Sequence, residues 1–139
     1  MNKVGLLTSM VVVLSTLLSA SPTCPVKIVT TAAEPDGIAL TFFNRGKLPI
    51  RRLEFTCTAI HPQSRAAGAA RCIEDNALFF PGPEYTVKYG YPGGKRQPVR
   101  VTLRNATLGD GYFWKPSRNE PCQVARIYPK KTQRPPNSK

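Results

Sequence analysis

Few residues of this chain have the chemistry that a catalytic site needs. The chain has one histidine, His61, and eight Asp or Glu residues among its 139 residues. A Ser-His-Asp site would have to use His61, which precedes a proline in a small, polar segment that supports a catalytic base poorly. No glycine-rich loop opens a helix that binds phosphate. The residue types therefore predict a protein that is not an enzyme and that holds no cofactor.

The four cysteines indicate structural cross-links. They lie at Cys24, Cys57, Cys72 and Cys122, with no C-x-x-C pair of the kind that zinc sites and redox enzymes use, so we expect no metal. An even number of cysteines in an exported protein is typical of a disulfide framework. Three pairings are open. We favour Cys57–Cys72, which closes a short loop, with Cys24–Cys122, which ties the start of the mature chain to its end.

The N-terminal segment has the order of a secretory signal. Lys3 is followed by an apolar stretch from Val4 to Leu18 and then by small residues up to Ala20. This stretch is shorter than the roughly 20 apolar residues that a transmembrane helix needs. We therefore expect a signal peptide at residues 1–20, no transmembrane span after its cleavage, and a protein that is secreted or periplasmic.

The remainder predicts one domain and a tail. Residues 21–128 are rich in Val, Ile, Thr, Phe and Tyr, and 11 of the chain's 14 prolines punctuate them at short intervals. Short extended runs between turn residues predict β-strands. We expect an all-β fold, an immunoglobulin-like antiparallel β-sandwich of about seven strands stapled by disulfides. Residues 129–139 combine basic residues with low apolar content, which predicts a disordered tail.

Alternation along the predicted strands separates a core face from an outer face. Phe55 and Cys57 share one face, whereas Glu54 lies on the other. This phase makes Cys57 a core residue and not a reactive thiol. Near Asn105 the alternation slips, which predicts a β-bulge. Asn105 also begins an N-glycosylation sequon, Asn-Ala-Thr.

Three segments resemble a known class of domain. They read LTFFNRGKLPIRRLEF, FFPGPEYTVKY and VRVTLRNATLGDGYFW, and they combine turn residues with alternating strands. Together they resemble the small bacterial immunoglobulin-like domains of the FxLYD or CARDB type over residues 38–114. The resemblance implies a non-catalytic module of a cell-envelope or secreted protein. It carries over no catalytic residue, because the family pattern contains none.

The charge of the chain indicates what it binds. The net charge is +12 at pH 7, which attracts anions in a salt-dependent way. The leading hypothesis is an extracytoplasmic, non-catalytic binding or assembly module whose partner is an unknown protein or an anionic envelope component; nucleic acid is not expected. One alternative is a basic secreted protein that binds an anionic polymer or a membrane surface. A small hydrolase or an inhibitor is a weaker alternative.

Two topologies stay open for the later strands, and they place the candidate anion-binding residues differently. If residues 84–91 and 98–104 pair as a hairpin, Lys88 lies opposite Arg100 and a basic stripe forms along the sheet. If the chain instead crosses between two sheets, as in immunoglobulin folds, the stripe is broken. The candidate anion-binding residues are Lys88, Lys95, Arg96, Arg100 and Arg104.

Overall fold

Eight β-strands form the protein in a computed structural model that describes residues 23–61, 69–117 and 122–130. The predicted signal peptide and residues 131–139 of the predicted tail lie outside the described residues. In chain order the strands are β1 (Val26–Ala33), β2 (Gly37–Asn44), β3 (Ile50–Ala59), β4 (Ala69–Glu74), β5 (Glu84–Gly90), β6 (Val99–Leu108), β7 (Phe113–Trp114) and β8 (Val124–Ile127).

The strands form two antiparallel sheets that face each other as a sandwich. The smaller sheet has the order β1-β2-β5. In the larger sheet β4, β3 and β6 follow one another, and both β7 and β8 pair with the far edge of β6. The prediction of an all-β antiparallel sandwich is confirmed.

Apolar side chains from both sheets fill the space between them. Phe42 of β2 is fully buried and packs against Phe55 of β3 and Phe79, with ring centroids 6.0 and 5.1 Å away. Val101 and Leu103 of β6 are also fully buried. Each such side chain contributes about 1.5–3 kcal/mol when it leaves water, so this alternating core is what holds the two sheets together.

Two disulfides cross-link the sandwich, with the pairing that the sequence favours. Cys57–Cys72 joins β3 to β4 on the core face, with the Cα atoms 6.3 Å apart. Cys24–Cys122 joins the residues just before β1 and β8, with the Cα atoms 5.7 Å apart. Because β1 and β8 belong to different sheets, Cys24–Cys122 is the disulfide that connects the sheets covalently.

Of the two topologies that the sequence leaves open for residues 84–91 and 98–104, the hairpin does not form and the crossover does. Strand β5 pairs with β2, whereas β6 pairs with β3 in the opposite sheet. The connection begins at Tyr91 and Pro92, which are both buried. Tyr91 donates a hydrogen bond of 2.6 Å to the Glu34 carbonyl, and the turn continues through Gly93 and Gly94, both with positive φ. A chain anchored this way crosses the end of the sandwich and does not reverse into a hairpin.

A buried asparagine fixes the connection between β2 and β3, which leads from one sheet to the other. The Asn44 side chain is 2% exposed. Its amide nitrogen donates to the carbonyls of Leu48 and Phe79, at 2.8 and 3.0 Å. Its oxygen accepts from the Gly46 N–H at 2.8 Å. One side chain thus bonds to three backbone groups. Those of Gly46 and Leu48 lie in the β2–β3 connection, and the Phe79 carbonyl lies in the segment before β5.

We expect Asn44→Ala to lower the free energy of unfolding by about 2 kcal/mol, because the Leu48 carbonyl and the Gly46 N–H lose their partner at a buried site, while the Phe79 carbonyl keeps only its bond from the Ile50 N–H. Urea denaturation measures this difference. Thr41→Ala is the control: it removes the 2.8 Å hydroxyl contact with Thr86 on an exposed face and should cost at most about 0.5 kcal/mol. Equal losses in the two variants would contradict the role given to Asn44.

Candidate anion-binding site

The outer face of the larger sheet carries arginines on four neighbouring or paired strands. Alternation places them there because the core face of each strand is occupied by apolar residues. The sequence of β3 and β6 fixes this phase, with Phe55 and Leu103 paired on the core side. The face carries Arg52 of β3, Arg71 of β4, Arg100 and Arg104 of β6, and Arg126 of β8.

Glu54 lies among three of these arginines and is 2% exposed. Its Oε1 accepts a hydrogen bond from Arg71 Nε at 2.9 Å and is 3.7 Å from Arg104 Nη1. Its Oε2 is 3.6 Å from Arg52 Nη2 and accepts a bond from Asn105 Nδ2 at 3.2 Å. The hydrogen bond from Arg71 is the largest influence on the carboxyl and holds the pKa of Glu54 below its usual value, although burial acts in the opposite direction.

The β-bulge of β6 brings Asn105 into this cluster. Pairing shifts register between Glu54–Asn105 and Phe55–Leu103, so Arg104 is the extra residue. Asn105 therefore lies directly opposite Glu54 and is 8% exposed. The sequon asparagine thus has its amide nitrogen bonded to a carboxylate in the folded protein, where it supports the arginine cluster and is not presented to solvent.

Arg100 and Arg126 differ from the other three arginines because they have no carboxylate partner among the described residues. They lie directly opposite each other on β6 and β8, and both are exposed. Directly opposed side chains have their Cβ atoms about 5 Å apart, and like charges there destabilise the sheet. An anion between the two guanidinium groups would remove this repulsion and accept hydrogen bonds from both.

A groove adjoins this pair between the edges of the two sheets. It has a volume of about 560 Å³, within the range of ligand sites. The groove is lined by Thr31, Ala32, Ala33, Arg96, Arg126, Ile127, Tyr128 and Lys130. Arg96 Nη2 donates to the Lys130 carbonyl at 3.1 Å, which joins the turn before β6 to the segment after β8. We call the four basic residues Arg96, Arg100, Arg126 and Lys130 the cationic cluster.

Gln123 joins the edges of the two sheets at the end next to the disulfide. It follows Cys122 and has a φ of 52°. Its side-chain oxygen accepts a bond of 2.9 Å from the Ile28 N–H of β1, and its carbonyl accepts one of 3.3 Å from the Leu103 N–H of β6. The two sheet edges are thus held together here, and the groove lies farther along β1 and β8.

The predicted anion-binding residues do not stay together. Arg100 and Arg96 belong to the cationic cluster, and Lys95 is exposed beside Arg96. Lys88 lies in the other sheet, where it forms a 2.9 Å ion pair with Glu34. Arg104 is held near Glu54. The stripe through Lys88 and Arg104, which the sequence predicts only for the hairpin, does not form. The crossover places Lys88 in the other sheet, and Arg104 lies in the bulge near Glu54.

Two members of the cationic cluster, Arg126 and Lys130, were not singled out from the sequence. The short strand β8 pairs with β6 over only four residues, and its composition does not indicate which strand it pairs with. The available signal was Cys122, since a disulfide to Cys24 brings the chain after it to the edge of the sandwich.

Other groups with reactive chemistry have ordinary surroundings. His61 is exposed just beyond β3. Asp110 Oδ1 accepts a hydrogen bond from the Tyr112 N–H at 2.9 Å and shapes the turn before β7. Within residues 23–61, 69–117 and 122–130 no three His, Cys, Asp or Glu residues are grouped so that they could hold a metal ion. Over the same residues no helix is long and apolar enough to cross a membrane.

Comparisons with known proteins add little to this geometry. No protein-family model and no curated protein matches the chain. A solved crystal structure, of the Northeast Structural Genomics Consortium target SoR45, is similar with a TM-score of 0.40 and 10% identity. The alignment covers 75% of this chain and 82% of that one.

We expect Glu54→Gln to lower the free energy of unfolding at neutral pH by on the order of 1–3 kcal/mol, because the arginines around it lose their counter-charge. The folded pKa of Glu54 is depressed, so its contribution is complete above the unfolded pKa and disappears as the pH falls through the folded one. The difference between wild type and variant should therefore shrink below about pH 4.

Urea denaturation across this pH range measures the effect, with Glu84→Gln as the control because Glu84 is exposed on the other sheet. A difference that stays constant from neutral to acidic pH would show that the charge of Glu54 does not stabilise the fold.

Proposed function

We propose that this protein is an extracytoplasmic, non-catalytic binding module that recognises an anionic partner with its cationic cluster. One observation carries the proposal: Arg100 and Arg126 face each other on neighbouring strands with no carboxylate beside them in the described part of the chain. On the same sheet, Arg52, Arg71 and Arg104 share Glu54 as their ion-pair partner. The contrast between paired and unpaired arginines on one face supports a binding role for the unpaired ones.

Arginine suits this role for a geometric reason. Its planar guanidinium presents donors that match the oxygens of phosphate, sulfate and carboxylate groups. Two guanidinium groups at cross-strand distance can hold one anionic group between them. Arg96 and Lys130 extend the positive potential along the groove. A partner with several negative groups would therefore bind better than a single small anion.

The location of the protein is part of the proposal. The signal-like segment at residues 1–20 and the two disulfides support a secreted or periplasmic protein, because disulfides persist in oxidising compartments. An anionic component of the cell envelope, or a protein with an acidic surface, is the class of partner available there. The non-catalytic part rests on the plain surroundings of His61 and Asp110 described above.

The test uses inorganic polyphosphate as the probe and compares two single-charge variants. Arg126→Gln removes a member of the opposed pair. Arg45→Gln removes an exposed arginine from the β2–β3 turn, at the other end of the sandwich, so net charge is equal in both. We expect Arg126→Gln to weaken binding at low salt by about fivefold and Arg45→Gln to change it little.

Calorimetric titration at several salt concentrations measures the dissociation constant of polyphosphate for the wild-type protein and for each variant. A chain lacking residues 131–139 is measured alongside, because Lys131, Arg134 and Lys139 add attraction that does not depend on the cluster. Equal weakening of polyphosphate binding by the two arginine variants would show that only net charge matters and would contradict the proposed site. The proposal would also be contradicted if the wild-type protein did not bind polyphosphate at low salt.

A further inference from the structure

The edge of β1 that borders the groove has backbone groups with no partner among the described residues. Among the described strands, β1 pairs with β2 and with no other. The Glu34 N–H bonds to the Gly37 carbonyl across the β1–β2 turn. Because direction alternates along an antiparallel strand, the N–H and C=O groups of Thr31 and Ala33 point away from β2. They therefore point to the side on which the groove lies.

Ile28 shows how an N–H on this edge finds an acceptor outside β2. Its N–H is bonded by the Gln123 side-chain oxygen at 2.9 Å, which takes the place of the carbonyl of a neighbouring strand. Past the register shift at Val29 no described residue does this for Thr31 or Ala33. Residues 30–33, which follow this bulge, also contain no charge and no proline, two of the means by which proteins protect an exposed edge strand.

We infer that the groove binds an extended, acidic polypeptide segment of a partner protein, which adds a strand to the edge of β1. This inference rests on the proposed function and names its partner class. A peptide backbone both donates and accepts at strand spacing, so it can satisfy the N–H and the C=O groups of Thr31 and Ala33. A polyphosphate chain offers acceptors only. The acidic side chains of the segment would meet Arg96, Arg126 and Lys130, and none of the described residues that line the groove is a carboxylate.

A second copy of this chain fits the edge less well. Pairing two β1 edges would bring two sets of cationic residues close together, and the like charges would repel. The occupant indicated by the charges is therefore a different protein with an acidic strand.

The experiment separates backbone pairing from charge attraction. Thr31→Pro removes one groove-facing N–H and keeps every charge, and proline is tolerated where the N–H faces outward from an edge strand. Arg126→Gln keeps the edge and removes a charge. Arg45→Gln is the control. The probes are a short peptide that alternates Glu with Val and Thr, with blocked ends, and inorganic polyphosphate.

We expect Thr31→Pro to weaken binding of the acidic peptide by about tenfold and to leave polyphosphate binding unchanged. Arg126→Gln should weaken both. If Thr31→Pro binds the peptide as well as wild type does, strand addition is wrong while the proposed function stands. If Arg126→Gln weakens the binding of neither probe, both the strand addition and the proposed function are wrong.

Two further measurements keep the test decisive. Should Thr31→Pro fold poorly, amide hydrogen exchange on the wild-type protein decides: the peptide should slow exchange at Thr31 and Ala33, and unchanged exchange there would overturn the inference. Sedimentation of the wild-type protein should show a monomer. A dimer that Thr31→Pro abolishes would assign the edge to a second copy instead and would also overturn it.

Discussion

The cross-link between the two sheets at Cys24–Cys122 determines how the open side of the sandwich is built. It lies two residues before both β1 and β8, so the two edge strands start from one covalent point. Gln123 then bonds to Ile28 on one side and to Leu103 on the other. The edges are closed at this end and separated by a groove at the other. The disulfide thus stabilises the fold and also positions the candidate site.

The arginines of the larger sheet divide into a structural network and the pair that is proposed to bind an anion. Glu54 has three arginines and an asparagine around it, which makes that part of the face a stabilising network with depressed carboxyl pKa. Arg100 and Arg126 stand outside this network. Functional sites commonly retain such locally unfavourable arrangements because a ligand relieves them. The same physical rule, that like charges on opposed strands repel, therefore explains both the cost of the pair and its proposed use.

Local patterns in the sequence were enough for the fold class and for the face of the sheet that residues of β3 occupy. The phase of Phe55 and Cys57 predicted the core face, and the slip near Asn105 predicted the bulge. Pairing between distant strands was not predictable, because alternation says which face a residue takes and not which strand it meets. That limit is why Lys88 was grouped with Arg100 and why Arg126 was missed. Burial of Glu54 was also missed, since it results from long arginine side chains that cover an outer face.

Arg100 and Arg126 are proposed to form an anion site whose like charges lower the free energy of unfolding when no anion is bound. The direct measurement is the free energy of unfolding of wild type and Arg126→Gln at low salt, each with and without saturating polyphosphate. Without polyphosphate the variant should be the more stable by about 0.5–1 kcal/mol, because the repulsion is gone. With polyphosphate the wild type should recover at least this difference, because binding stabilises the folded state. A variant that is no more stable than wild type, and that polyphosphate stabilises equally, would contradict the claim.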